Sequence, residues 1–534
     1  MPESAGLIHH FLETSATRFP SKVAIVHGQE RLTYAAVNRL ANQLAHRLLR
    51  LGVRPEDRIA LLSENSVEYV FGFYGILKAG CVAVPLNTEL TADGLAQTLK
   101  VLEAKALLVS RKLEKAVRTA PVAPLCPKLL VMTSSGVQEP HLEVPAEGND
   151  PGSSDLPDQN PGLATDPRTC AVIIFTSGSE GQPKGVMLSH ANVVANTRSI
   201  VDYLALTRDD IQMVVLPFFY VMGKSLLNTH FSVGGTVVIN NQFAYTAAVL
   251  KQMAEERVTG FSGVPSTYAQ LLFKSPLFEY RDRLPALRYC TQAGGHMARS
   301  VKLALLDALP PQTKLIIMYG ATEASARLTY LPPGFLRDKI DSIGRPIPGV
   351  SLDVLSSDGH VLGPDQSGEL VARGDNIMLG YFRDDGSTRK VLDRHGYHTG
   401  DLGYQDQDGF FFVTGRKDDQ VKIDGHRINL REIEDIIVES GHVIECLVLA
   451  FSDGSRDLAL AGLAVPTKGT PGSGDIILEY CRSKLPKYKV PRLLFLIDAI
   501  PKNSSGKLDR AKALQVFREQ HDRNKDLSSL RSPK

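Results

Sequence analysis

Apolar residues recur at helix spacing and at strand spacing in alternation from the start of the chain. Leu7, Ile8, Phe11 and Leu12 share one face of an amphipathic N-terminal helix. Thr33 is placed to cap a second helix, lined on one face by Leu40, Leu44 and Leu48 and ended by Gly52. A short apolar strand follows at Arg58 to Leu62, then a helix from about Ser66 to Lys78, then a strand at Cys81 to Pro85. Such alternation predicts a mainly parallel sheet covered by helices on both faces. The pattern breaks from Thr133 to Pro167, where Pro, Gly, Ser, Asp and Glu accumulate and a flexible surface connection is expected. It resumes to about Gly415, after which the charged run Arg416 to Gln420 precedes a smaller unit ending near Arg518. The expected division is therefore 1–416 and 417–534, with the polar, charged residues 519–534 as a loose tail. The chain carries no internal repeat.

Composition adds limits to this picture. With 534 residues, 43% of them hydrophobic, the chain exceeds one ordinary core and should form at least two domains. Its 60 Lys plus Arg nearly cancel 58 Asp plus Glu, leaving no field suited to nucleic acid or to an anionic membrane. Small molecules are the expected partners. Cys81, Cys126, Cys170, Cys290, Cys446 and Cys481 are scattered, without a CxxC pair or a His cluster, which argues against a zinc site or a disulfide framework. Reduced thiols in a cytoplasmic protein are expected. The N-terminus lacks the basic start and unbroken apolar run of a secretory signal. The apolar stretch from Phe71 to Leu86 is interrupted by Lys78, Gly80 and Pro85, so no stable membrane insertion is expected.

The chemistry concentrates first in the stretch from Ile173 to Gly185. An apolar strand feeds a loop in which Gly178, Gly181 and Gly185 let backbone N–H groups approach an anion. Thr176, Ser177 and Ser179 add hydroxyl donors and Lys184 adds charge, a composition suited to cradling polyphosphate. Pro183 stands where a Walker A loop needs Gly, which disfavours a P-loop NTPase.

The segment TSGSEGQPKGVMLSH, from Thr176 to His190, resembles the phosphate-loop signature of the adenylate-forming superfamily. That superfamily includes acyl-CoA synthetases, adenylation domains of nonribosomal peptide synthetases, and beetle luciferases. Further matches follow in the family's order over nearly the whole chain. Tyr319-Gly320-Ala321-Thr322-Glu323 resembles its YGxTE motif, implying Tyr319 and Gly320 at the adenine, Thr322 at the α-phosphate and Glu323 on Mg²⁺. His398-Thr399-Gly400-Asp401 is similar to its HTGD motif, which implies ribose binding by Asp401. The stretch Gly415 to Ile423 resembles its hinge, implying Arg416 at the ribose and Asp418 as pivot. Pro501 to Lys507 resembles PxxxxGK, which implies that Lys507 is the catalytic lysine beside Lys184, Thr322 and Glu323. Gly263, Gly294 and Gly295 match segments lining the acyl and adenine pockets.

The resemblance implies an α/β fold with a large N-terminal domain of layered sheets and helices plus a distorted barrel, and a smaller, mobile α+β C-terminal domain. It implies ATP-dependent activation of a small-molecule carboxylic acid as acyl-AMP, with release of pyrophosphate. Transfer would follow to the thiol of CoA, or to the phosphopantetheine of an acyl or peptidyl carrier protein, through a channel lined at Gly425. An amide synthetase and a luciferase-like monooxygenase are the alternatives on the same scaffold. Two departures bear on the acid. Tyr220, near Gly223, replaces the family's usual His, and His296 follows Gly294-Gly295 where a small or acidic residue is common. Tyr220, Gly223, Gly263 and His296 are the expected substrate contacts. Lys224 is expected to point to solvent, the alternative being a partner for a second acidic group on the substrate. The region lacks the FDxS-type aspartate of amino-acid-activating domains, which points to a fatty, aromatic or other unaminated acid.

Overall fold

A computed structural model describes residues 6–119, 125, 128–132, 142–143, 156–176, 183–417, 420–423, 426–452, 458–467, 474–503 and 508–530. The expected alternation forms from local signals. The Thr33 hydroxyl accepts from the Ala36 N–H at 3.3 Å and starts helix Tyr34–Arg50, which buries Leu40, Leu44 and Leu48. Gly52, at φ +73°, turns the chain out of that helix. Ser66 caps helix Val67–Lys78 in the same way, accepting from the Tyr69 N–H.

The strands sort into two helix-covered sheets, the layered arrangement that the family resemblance implies. One has nine strands among the described residues, and its centre, from Val23–His27 through Thr236–Ile239, Ile211–Val214, Gly260–Gly263 and Tyr289–Gln292 to Lys314–Tyr319, is parallel. The other has eight strands among the described residues, with Val82–Pro85, Arg58–Leu62, Ala106–Ser110 and Leu129–Met132 parallel at its heart. Helices fill the space between the sheets. Ile25, Val214 and Val237 of one sheet and Ile59, Leu61, Val172 and Ile174 of the other belong to one continuous core with helices Tyr34–Arg50, Val67–Lys78 and Val221–Val233. A third, antiparallel sheet built on Val350–Leu355, Gly368–Gly374, Gly396–Gln405 and Phe411–Arg416 stands where the distorted barrel was expected. The smaller C-terminal domain packs strands Val443–Ser452, Leu458–Pro466 and Leu493–Leu496 against helices Leu430–Glu439 and Asp475–Lys484, with its own core of Ile433, Ile437, Val448 and Leu460.

Two stretches depart from the sequence expectation. Part of the connection expected to be flexible is fixed: the Asn42 carboxamide donates to the Asp158 carbonyl at 2.6 Å, and the Lys78 ammonium donates to Asn160 Oδ1 at 2.9 Å. Residues 133–141 and 144–155 of that connection lie outside the described residues. At the other end, helix Arg510–Leu530 runs on past Glu519 because Phe517 and His521, one turn apart, stack at 5.7 Å and both meet Phe451. Cys81, Cys170, Cys290, Cys446 and Cys481 are free thiols, and Cys126 lies outside the described residues. No helix among the described residues is long and apolar enough to cross a membrane.

Three buried histidines make the core acid-sensitive. Burial drives the pKa of His190 and of His230 down to about 4, and lowers that of His9 below its ordinary value of 6.5. The Ile8 N–H donates to His190 Nδ1 at 3.2 Å, a bond that only the neutral ring accepts. Because these folded pKa values lie below the unfolded ones, the associated stability is present above pH 6.5 and is lost as pH falls toward 4. For His190 and His230 the loss is on the order of 3 kcal/mol each. Thermal melts are expected to hold a plateau above that window and drop steeply within it. A melting temperature that stays level down to pH 4.5, about two units below the ordinary histidine value, would contradict this assignment.

Candidate active site

The expected phosphate loop connects two antiparallel strands, Cys170–Thr176 and Lys184–Ser189, whose last register pair is Thr176 opposite Lys184. Ser177, Gly178, Ser179 and Gly181 lie outside the described residues, so the loop is located by its two ends. From one end Lys184 Nζ lies 5.4 Å from the centre of the Tyr381 ring. The Tyr381 hydroxyl donates to Glu323 Oε1 at 2.8 Å. Burial, then the Glu323 carboxylate, push this phenol's pKa up, so it remains a donor at neutral pH. Lys184 and Glu323, 139 residues apart in the chain, are thereby joined through an aromatic that no sequence motif singled out. The strand Gly380–Tyr381 achieves this by pairing with Lys184–Ser189, Tyr381 opposite Val186.

A second cluster gathers the residues expected at the nucleoside. The Tyr319 hydroxyl donates to Asp401 Oδ2 at 2.6 Å, and Arg416 Nε stands 3.7 Å from Asp401 Oδ1. Burial and the adjoining Asp401 carboxylate hold the Tyr319 phenol well above its usual range. Asp401 and Arg416 face each other in register across the antiparallel pair Gly396–Gln405 and Phe411–Arg416. The Asp401 N–H donates to Thr399 Oγ1 at 3.1 Å, which sets the turn that carries the carboxylate.

A cavity of about 130 Å³ opens beside Gly320 and Thr322, the chain neighbours of Tyr319 and Glu323. Thr176, Tyr220, Gly223, Gly294, Gly320 and Thr322 all line it. Two glycines are demanded by packing. A Cβ on Gly223 would collide with the Pro217 carbonyl, and one on Gly320 with the Ala326 carbonyl, closing the backbone approach that shapes the walls. Asn503, from the C-terminal domain, also lines this cavity. Lys507, like Asp418 and Gly425, lies outside the described residues.

Two expected substrate contacts, Gly263 and His296, are placed elsewhere. Gly263 packs against Thr267 and Tyr268, leaving the neighbouring Val264 to line the cavity. His296 and Gly295 line a different cavity of about 310 Å³ between the N- and C-terminal domains. There His296 Nε2 meets Asp435 at 2.7 Å, a residue of helix Leu430–Glu439. Lys224 does not point to solvent: it is 3% exposed, and its Nζ donates to the Tyr69 hydroxyl at 2.9 Å. Sequence reading also missed Arg327, which lines the cavity while 2% exposed. Its signal was a lone charge among small and apolar residues directly after Glu323.

Comparison with known proteins identifies the family and the fold. The family of AMP-binding enzymes matches residues 12–382, and the AMP-binding enzyme C-terminal domain matches residues 432–507. The chain is 30% identical over 500 residues to a feruloyl-CoA synthase of an Amycolatopsis species, covering 93% of this chain and 96% of that protein. It is 28% identical to a long-chain-fatty-acid–CoA ligase of Bacillus subtilis, with 98% and 96% covered. In fold it is similar to an anthranilate CoA ligase solved with anthranoyl-AMP, at a TM-score of 0.84 and 23% identity, with 96% of this chain and 97% of that one covered.

Proposed function

We propose that this chain, which belongs to the AMP-binding enzyme family, is an AMP-forming acid–thiol ligase that makes an acyl-adenylate and passes the acyl group to CoA. The observation that carries the reading is one cavity lined jointly by Thr176 from the phosphate-loop strand, Thr322, and Asn503 from the segment leading to Lys507. A carboxylate oxygen attacks the α-phosphorus of ATP, pyrophosphate leaves, and a mixed anhydride with AMP remains. Both reactants are anions, so the reaction needs positive charge and fixed donors around the phosphorus. Lys184 and the loop hydroxyls and N–H groups of Ser177, Gly178, Ser179 and Gly181 serve the outer phosphates, Thr322 the α-phosphate, and Lys507 the reacting oxygens. Tyr319 and Gly320, with Gly294 and Gly295, receive the adenine, while Asp401 and Arg416 hold the ribose.

Mg²⁺ delivered with ATP fits Glu323. One carboxylate oxygen is taken by Tyr381 and the other carries no hydrogen bond among the described residues. The ion would supply charge to the phosphates. In the second step the thiol sulfur attacks the acyl carbon, AMP departs with the former carboxylate oxygen, and the thiol proton is released. We place the division between domains at Arg416 and Lys417, the pivot at Asp418 and the thiol channel at Gly425. A carrier-protein phosphopantetheine would use the same channel. ATP and CoA as substrates fit a cytoplasmic enzyme.

The acid is small. A volume of about 130 Å³ approaches the ~150 Å³ that admits one benzene ring. Single-ring aromatic or short aliphatic acids are therefore expected to exceed long-chain fatty acids by at least about tenfold in kcat/KM. Pyrophosphate exchange across an acid panel tests both points. Exchange with none of the acids removes the ligase reading, and exchange led by long-chain acids removes the size assignment alone.

A further inference from the structure

Two buried basic side chains stand beside the acid cavity without a counterion among the described residues, and burial lowers the pKa of Lys224, so its charged form is the one that an adjacent anion would favour. Arg327 lines the cavity, and a guanidinium has five N–H donors and a permanent charge. Its Nη1 donates to the Ala326 carbonyl at 3.1 Å, and its Nε to the thioether of Met318, a weak acceptor, at 3.3 Å. Lys224 lines an adjoining void of about 10 Å³ that shares the wall residue Val221 with the acid cavity. Its Nζ sits 4.2 Å from the centre of the Phe73 ring and donates a hydrogen bond to the Tyr69 hydroxyl. The Tyr69 hydroxyl is itself committed as a donor to the Phe218 carbonyl at 2.7 Å, so it offers the ammonium only a lone pair.

Neither cation has an ion pair among the described residues, and no carboxylate contributes to the described lining of either space. Burying an unpaired charge is costly, and removing it in favour of an apolar side chain of similar size usually stabilises a fold. A fold that keeps an arginine on the cavity wall and a lysine in the void beside it gains something else from them. In the ligase reading the carboxylate to be activated is served by Lys507, which leaves Arg327 and Lys224 for another group.

We propose that Arg327 and Lys224 form a receptor for a second anionic group on the acid, so that the preferred substrate is a short dicarboxylic acid or an equivalent dianion. This rests on the ligase reading and names its substrate class. Arg327 grips the second anion on the cavity wall, and Lys224 supplies the neighbouring positive field. The void beside Lys224 is no larger than one water, so the second anion stays on the Arg327 wall of the acid cavity and Lys224 acts on it through its field alone.

The test is pyrophosphate exchange with matched pairs, each a dicarboxylic acid and its monomethyl ester, using the full-length wild-type protein, Lys224→Met and Arg327→Met. The wild type is expected to prefer the diacid by about 10²-fold or more in kcat/KM, the range for a buried charge contact. Lys224→Met is expected to narrow that diacid-to-ester ratio at least about tenfold while raising the melting temperature of the ligand-free protein. Should Arg327→Met fail to fold, Lys224→Met alone decides. A wild type that uses the monoesters as well as the diacids overturns the proposal but leaves the ligase reading standing. So does a Lys224→Met protein that keeps the wild-type ratio and melts lower. No exchange with any acid, charged or not, overturns both.

Discussion

Lys507→Ala is expected to lower acyl-adenylate formation by about 10²- to 10³-fold, the usual consequence of deleting a fixed donor aimed at charge that develops in the transition state. The carboxylate and the α-phosphate repel each other as they close, and an ammonium between them is worth most at that moment. Thiol transfer starts from an anhydride in which the carboxylate charge is already gone. Given preformed acyl-adenylate and CoA, the same variant should therefore retain most of its transfer rate. Separate assays of the two half-reactions check this, and an equal loss in both would mean that Lys507 acts through folding or nucleotide affinity. Its segment reaches the site in the structure as far as Asn503, which lines the acid cavity.

Glu323→Gln should cost roughly 30- to 1,000-fold in adenylate formation, the several kcal/mol typical of a ligand to a catalytic cation. The carboxamide keeps an acceptor for the Tyr381 hydroxyl, now 2.8 Å from Oε1, so the local packing has little reason to change. The negative charge is what disappears. Raising free Mg²⁺ is accordingly expected to recover part of the activity. Rates that stay at the wild-type level across a magnesium titration would move the cation to another residue.

Local chemistry was the most readable layer of this sequence. Thr33 and Ser66 cap the helices predicted for them because capping needs only a hydroxyl and the next turn. The motif segments are also local, and Thr176, Gly294, Gly320 and Thr322 do meet at one cavity. Contacts between distant segments were harder to read. His296 was assigned to the acid from its neighbours Gly294 and Gly295, yet its ring is taken by Asp435, 139 residues away. Tyr381 joins Lys184 to Glu323 through a strand pairing that follows no periodicity.

Lys224 shows a second limit. A helix at the surface advertises its inner face by alternating polar and apolar residues. Helix Val221–Val233 lies between two sheets and buries every residue from Met222 to Ser232, including Lys224, Ser225, Asn228 and His230. Polarity along such a helix no longer indicates solvent, and a lysine there reads as exposed when it is the reverse. The alternation of helix and strand does not by itself separate two sheets from one, since each sheet taken singly gives the same pattern; the family motifs supplied the layered arrangement.

Isotope transfer tests the central claim most directly. Supply the enzyme with MgATP, CoA and an acid labelled with ¹⁸O in its carboxyl group, then weigh the nucleotide product. An acyl-adenylate route puts one labelled oxygen into AMP, because the carboxylate oxygen that bonds to the α-phosphorus stays there when the thiol displaces it. Label found in inorganic phosphate alongside ADP, or AMP formed without label, would contradict it.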